Sequence, residues 1–180
     1  MAAEKFRTPV GTFLYTHLFE PARAMGGGEG KFETTLVLDA AALKTAEYAA
    51  IEKAVDALRA ELARETKTTV ANIRSPLRDN AEREEKVPEV YTPGGKFLSA
   101  KTKFQPTVVD RAKRPITDPD AVFGGMEGRL VVSPFKYNTN GNKGVSFSLD
   151  AVQVTDSDRE RVGGGGAAVS LFEELEDAPF

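Results

Sequence analysis

Basic and aromatic side chains follow one another closely in the second half of this chain. Lys101 and Lys103 precede Phe104, and Arg129 precedes a basic and aromatic run at 135–137. Cations neutralise phosphates, and flat rings stack on unpaired bases at about 1–3 kcal/mol per base, without requiring one base type. The combination predicts a surface for a single-stranded polynucleotide. The candidate contact residues are Tyr15, Lys101, Lys103, Phe104, Arg111, Lys113, Arg114, Arg129, Phe135, Lys136, Tyr137 and Lys143.

The cations and the rings of this set have different expected roles. The best stacking candidates are Tyr15, Phe104 and Tyr137. A competing interpretation is that the rings fill a core, because eleven Phe and no Trp must supply much of it. Phe147 is assigned to the core on that ground. Phosphate contacts are expected chiefly from Lys101, Lys103, Arg129, Lys136 and Lys143.

The charge distribution favours a polyanionic partner, although the net charge of the 180 residues is −3. Residues 96–145 hold nine Lys or Arg against four acids, a local net charge of +5. The last ten residues hold four acids and no base. A basic segment beside an acidic terminus suits a polyanion binder whose own end competes with the polyanion. Scattered surface lysines would give a similar count, so charge alone does not decide.

Catalytic and metal-binding patterns are weak. The chain has no Cys and one His, which excludes thiolate nucleophiles, disulfides and paired-His metal sites. The Gly-rich loop before Lys31 departs from the phosphate-binding P-loop at two positions. Met25 replaces the first Gly, and Phe32 replaces the Ser or Thr. We therefore expect no enzymatic activity, no cofactor and no metal.

Alternation of apolar and polar residues predicts five main strands. In the third strand, Pro106 is expected to bend the chain or end its pairing. In the fifth strand, Val145, Phe147, Leu149 and Ala151 are expected to share one face. The predicted strands cover residues 10–19, 31–38, 97–110, 127–137 and 145–154.

One long helix interrupts the strands. Asp39 resembles an N-cap, and apolar residues at three- and four-residue spacings predict a helix over about 40–66. Residues 73–91 are polar and irregular, and we interpret them as an excursion outside the sheet with a short helix near 79–85. Residues 138–144 suit a hairpin loop. The pattern predicts a mainly β fold, a five-stranded antiparallel OB barrel with one long helix in a connection.

Four consecutive glycines at 163–166 precede the acidic terminus. Such a terminus is too short to build a core and too charged to collapse, so we expect a disordered, tethered ligand. The predicted domains are residues 1–162, with 40–92 as an insertion, and residues 163–180, a linker and protein-interaction tail. The partner-binding candidates are Glu173, Glu174, Glu176, Asp177, Pro179 and Phe180.

Four short segments carry a family resemblance. They are FLSAKTKFQP at 97–106, FGGMEGR at 123–129, VSPFKY at 132–137 and GVSFSLDAVQ at 144–153. In this order they resemble a phage family of single-stranded DNA-binding proteins with an OB fold. The ending Glu-Asp-Ala-Pro-Phe is similar to the acidic, Pro-Phe-terminated tail of bacterial single-stranded DNA-binding proteins.

The resemblance implies an accessory protein of phage DNA replication or recombination that coats single strands and recruits proteins through its tail. Two alternatives remain at this point: a structural or adaptor module of a phage particle, and an RNA-binding OB protein. The single apolar stripe of the helix suits either packing on the barrel or a homodimer. With no apolar run near the ~20 residues of a membrane span and no signal peptide, we expect a cytoplasmic protein of the host cell.

Overall fold

A computed structural model of the chain describes residues 4–22, 30–83 and 85–156. The predictions for the Gly linker and for the six partner-binding candidates of the terminus fall outside these described residues. In the described part of the chain the strands are β1 Phe6–Arg7, β2 Gly11–His17, β3 Phe32–Leu38, β4 Arg78–Asp79, β5 Lys96–Thr102, β6 Thr107–Val109, β7 Glu127–Thr139 and β8 Asn142–Asp156.

Five of these strands close into a ring. β2 pairs with β3, β3 with β5, β5 with β8, β8 with β7, and β7 again with β2. The predicted five-stranded OB barrel is therefore confirmed. One joint differs from the expectation, because β5 and β8 are parallel while the other four pairings are antiparallel. Pro106 lies between β5 and β6, so the predicted third strand is divided there.

The barrel interior is filled from alternate positions of each strand. Its largest buried side chains include Phe13, Leu36, Leu98, Leu130 and Phe147. A smaller buried cluster lies on the opposite face of the sheet, where Leu14, Val37, Tyr91 and Phe97 pack together. Both faces of this part of the sheet are thus covered, which explains why β3 is buried at five consecutive positions.

A bulge in β8 changes which residues face the core. Val131 pairs with Ala151, but the next residue of β7 pairs with Leu149, so Asp150 is left over on β8. The residues of β8 that face the core therefore have odd numbers up to Leu149 and even numbers from Val152 onward. The expectation that Ala151 shares the face of Leu149 is wrong, because an inserted residue reverses the alternation.

The hairpin that joins β7 to β8 is tighter than the predicted loop at 138–144. The strands continue to Thr139 and from Asn142, and the turn is made by Asn140 and Gly141 alone. Both have positive φ, 52° and 83°, as a two-residue turn of this kind requires.

The long helix α1 spans Ala46–Glu65 and begins later than predicted. Asp39 accepts a hydrogen bond from the amide of Ala42 and starts a short 3-10 turn instead. Thr45, in an extended conformation, ends that turn and caps α1. Within the described ranges, no helix has the length and apolar character needed to cross a bilayer.

The apolar stripe of α1 packs inside the chain. Ile51 and Val55 are buried and join the barrel core, and α1 contacts β7 and β8. Of the two alternatives for this stripe, packing on the barrel is the observed one. The stripe is not available for self-association.

The segment between α1 and β5 is attached to the barrel rather than lying outside the sheet. We call residues 73–83 the strap. Its strand β4 pairs with β5. The side-chain amide of Asn80 donates to the carbonyls of Leu38 (3.2 Å) and Thr92 (2.9 Å), which holds the strap against the barrel. A 3-10 turn at Asn80–Glu82 stands where a short helix was expected.

Two phenylalanine substitutions test the assignment of core and surface. Phe147 is buried in the barrel, whereas Phe104 is 81% exposed. For Phe147→Ala we expect the free energy of unfolding to fall by about 3–5 kcal/mol, because a cavity replaces a buried ring. For Phe104→Ala we expect a change below about 0.5 kcal/mol. Urea unfolding followed by circular dichroism measures both, and equal losses would contradict the assignment.

Candidate functional site

The parallel pairing of β5 with β8 forms the floor of a groove on the barrel surface. On β5, Ser99 and Lys101 alternate with the core residues Leu98 and Ala100, so their side chains point outward. On β8, Ser146 and Ser148 alternate in the same way with Phe147. Ser146 lines both of the adjoining pockets that make up the groove.

The first pocket, which we call the cationic pocket, has a volume of about 310 Å³. Lys31, Lys101 and Lys103 line it together with the rings of Phe104 and Phe135. Those rings are 81% and 43% exposed, which is unusual for side chains of this size. Lys101 also pairs with Glu33 at 3.4 Å, a contact on a wet surface.

Local structure explains the exposure of Phe104. β5 ends at Thr102, whose hydroxyl accepts a hydrogen bond from the Phe104 amide at 3.2 Å. The chain turns there before Pro106, which is buried. The turn directs Phe104 away from the core and places it in the cationic pocket with Phe135 of β7. Four of the predicted contact residues, Lys101, Lys103, Phe104 and Phe135, are thus brought together.

The second pocket lies under the strap, and we call it the strap pocket. Its volume is about 610 Å³, and its lining includes Tyr137 and three arginines of the strap. Arg83 lies 4.6 Å and Arg78 5.7 Å from the centre of the Phe97 ring, at cation–π distances. Arg74 is held by backbone hydrogen bonds to Lys143 and Val145 of β8.

A glycine permits the position of Tyr137. A Cβ at Gly144 would lie 2.5 Å from the Tyr137 hydroxyl oxygen and 2.9 Å from Cβ of Arg74. Only a residue without a side chain leaves room for the phenol at this point of β8. Gly144 therefore permits Tyr137 to line the strap pocket.

Tyr15 is not among the residues that line either pocket of the groove. It is 47% exposed, and its φ of 52° lies at an irregularity in the pairing of β2 with β3. The preceding residue, Leu14, packs with Tyr91. Burial raises the pKa of the Tyr91 hydroxyl.

Four predicted cations lie elsewhere, near the second half of β8. We call Arg111, Lys113, Arg114 and Arg129 the distal cluster. Arg129 lines one pocket with Arg111 and another with Lys113. Its Nε donates to Oε1 of Gln153 at 2.8 Å, which fixes the guanidinium. Among the described residues, the exposed aromatic rings are Tyr15, Phe104 and Phe135. None of them lines the pockets of the distal cluster, which therefore offers charge without a stacking platform.

Two further predicted cations lie on another face of the barrel. Lys136 donates to Glu61 and Glu65 of α1, at 2.7 Å each. These hydrogen bonds raise the pKa of Lys136, and Lys136 in turn lowers the pKa of Glu61. Lys143 has the strand parity of Val145, not that of Ser146. The structure does not bring either lysine into the groove.

Sequence reasoning missed Lys31 and the three arginines Arg74, Arg78 and Arg83. The arginines come from a segment that we interpreted as lying outside the sheet. The only signal in the sequence is their spacing of four and five residues in a polar stretch. In the described ranges, no group of three or more His, Asp or Glu side chains is placed to hold a metal ion.

The closed barrel and the groove with cations and exposed rings define an OB-fold protein with a surface suited to an unpaired polynucleotide. The sequence model of one family, described as the ssDNA-binding protein of Enterobacter phage Enc34, matches residues 8–179. The chain belongs to this family.

Solved structures of phage proteins share the fold. The single-stranded DNA-binding protein from bacteriophage Enc34, truncated at its C-terminus, aligns with a TM-score of 0.67 and 22% identity over 86% of each chain. The same protein in complex with ssDNA aligns with a TM-score of 0.65 and 19% identity, over 88% of this chain and 89% of that chain. The gp2.5 protein of bacteriophage T7, a single-stranded DNA-binding protein, gives a TM-score of 0.63 and 16% identity, over 99% and 100%.

One curated relative is more similar but over a shorter region. The putative protein p50 of Acyrthosiphon pisum secondary endosymbiont phage 1 is 39% identical over 83 residues. This region spans 46% of the present chain and 45% of that protein.

The loop that carries Arg111, Lys113 and Arg114 of the distal cluster depends on one carboxylate. Backbone amides of Arg114 and Ala112 donate to Asp110 at 3.0 and 2.8 Å, and they lower its pKa below the usual 3.8. A lowered pKa in the folded state means that this stabilisation is present above 3.8 and is lost as the pH falls through the folded-state value.

We therefore expect the amide resonances of Ala112 and Arg114 to titrate together with a midpoint below 3.8. A pH series of ¹H–¹⁵N NMR spectra measures the midpoint. In Asp110→Asn, which cannot ionise, this transition should be absent. A midpoint at or above 3.8 would show that the amides do not hold the carboxylate.

Proposed function

We propose that this protein binds single-stranded DNA along the groove, without strong sequence preference and without catalysis. The observation that carries the proposal is the meeting of three lysines with two exposed phenylalanine rings in the cationic pocket. Lysines meet phosphates, and exposed rings stack on bases that no partner strand covers. The family match and the shared fold support the same function.

The groove suggests a role for each side chain. Lys31, Lys101 and Lys103 contact phosphates, because they are exposed and surround the same pocket. Phe104 and Phe135 stack on successive bases. The stacking energy does not depend on hydrogen bonds to the base edge, so binding tolerates many sequences.

The distal cluster extends the phosphate path. Arg111, Lys113 and Arg129 add positive charge beyond the groove, along the same strands β7 and β8. Arg114 contributes less, because it pairs with Asp110 at 3.1 Å. Lys136 is left out of the proposed interface, since two carboxylates of α1 already hold its ammonium group.

In the phage, such a protein serves DNA replication or recombination by covering exposed strands. We further propose that the acidic terminus recruits other proteins of these processes and competes with DNA for the basic surface. The support is chemical. Four acids and a terminal Pro-Phe follow a Gly tract in the sequence, and the surface proposed for DNA is cationic.

Two lysine variants, one double and one single, separate the groove from the rest of the surface. For Lys101→Gln combined with Lys103→Gln, we expect affinity for oligo-dT to fall about tenfold at low salt. The slope of log K against log salt should shrink by about 0.7 per lysine. For Lys136→Gln, which removes one positive charge outside the groove, we expect a change below about twofold. Fluorescence titrations at about 50 and 200 mM salt measure these values.

Each outcome of this titration has a clear meaning. Equal losses in the groove variant and in Lys136→Gln would place the DNA elsewhere on the protein. Failure of the unaltered protein to bind an oligo-dT of about 30 nucleotides at low salt would reject DNA binding. An RNA strand of the same length, bound more tightly than DNA, would favour an RNA-binding protein.

The proposed competition between the acidic terminus and DNA is tested with a full-length variant that lacks the charges of the terminus. Replacing Glu173, Glu174 and Glu176 by Gln and Asp177 by Asn removes four negative charges. We expect this variant to bind oligo-dT severalfold more tightly at low salt, with the gain disappearing as salt screens the tail. The matched control replaces four exposed Asp or Glu residues of the predicted domain 1–162 by Asn or Gln, so that the same number of negative charges is removed. An unchanged affinity in the tail variant would remove the competition from the proposal.

A further inference from the structure

The two pockets of the groove differ in charge. The described residues that line the cationic pocket include three lysines and no acid. The strap pocket combines its three arginines with Asp79 and Glu82. A phosphate group would be attracted to the first pocket and would meet two carboxylates in the second.

Several charged groups of the strap pocket already have partners. Arg78 pairs with Glu82 at 2.7 Å, and Asp79 pairs with Lys96 at 3.0 Å. Arg83 lies over the ring of Phe97. The pocket therefore presents fixed hydrogen-bond donors and acceptors with little excess charge, an environment for a neutral, polar group.

The walls of the strap pocket suit a flat ligand. Tyr137 is part of its lining, where the absence of a side chain at Gly144 leaves room for the ring. Ser99 and Ser146 place hydroxyl groups in its lining, and Ser99 is oriented by a 2.9 Å hydrogen bond to Thr35. The volume of about 610 Å³ lies in the range of small-molecule sites.

We propose that the strap pocket takes one unstacked base of the bound strand and prefers guanine. Guanine carries both acceptors and donors on its edges: O6 and N7 accept from arginine, and N1 and N2 donate to a carboxylate. Arg78 and Glu82 offer these two functions side by side. The inference rests on the proposed function and adds a base preference at one position to otherwise sequence-tolerant binding.

The test compares an oligo-dT of about 12 nucleotides with versions that carry one central dG, dA or dC. The full chain is titrated with each fluorescent oligonucleotide under the same salt. A protein that tolerates sequence can slide until the single dG reaches the pocket. We expect the dG version to bind about fivefold more tightly than oligo-dT, the lower end of what such a contact provides.

The variant Glu82→Ala separates base recognition from phosphate attraction. It removes the carboxylate acceptor and one negative charge at an exposed position of the strap, so the fold is not at risk. We expect its affinity for plain oligo-dT to stay the same or rise, while the preference for dG falls to within about twofold. Glu89→Ala is the matched control, since Glu89 is exposed and does not line the pocket. It should keep the dG preference.

Two results would overturn the inference without touching the proposed function. One is equal binding of all four oligonucleotides by the unaltered protein. The other is a dG preference that survives Glu82→Ala in full, which would place the recognition elsewhere. If plain oligo-dT does not bind at all, the proposed function fails and this inference fails with it.

Discussion

The parallel pairing of β5 with β8 is the constraint on which the groove depends. Ala100 pairs with Phe147 and Lys101 with Ser148, which closes the barrel. Strands that pair in parallel cannot be joined by a tight turn, so segments distant in sequence must meet. That meeting sets the outward residues of β5 beside those of β8 and brings Phe135, on the partner strand β7, to the same place. Without this joint the lysines and rings would have no common surface.

Burial decides which aromatic side chains are available to a ligand. Phe97 and Phe147 are both buried, one under the strap and one in the barrel. Phe104 and Phe135 remain exposed because a turn and an outward strand position direct them to solvent. The same residue type therefore has two roles, and neighbours in space determine which one applies. An exposed ring is costly in water, so its retention beside lysines is informative about function.

Much of the architecture follows from local patterns in the sequence. The five main strands, the break at Pro106 and the core role of Phe147 agree with the structure. The boundaries that differ have local physical causes. Thr45 restarts the helix, Asn140 and Gly141 tighten the hairpin, and the extra residue Asp150 reverses the alternation of β8. A bulge leaves no clear trace in composition, because any residue can occupy it.

The sequence by itself determined the chemistry: cations and rings in one region, an acidic end, and a mainly β chain with no Cys and a single His. Only the tertiary structure decided which of those residues act together. It grouped Lys101 with Phe135, separated the distal cluster, and placed Lys136 against Glu61 and Glu65 of α1. It also brought the strap arginines to the groove. The reason is physical. Spacing along the chain determines on which face of its own strand a side chain lies. Which other residues lie beside that face depends on contacts between segments far apart in sequence.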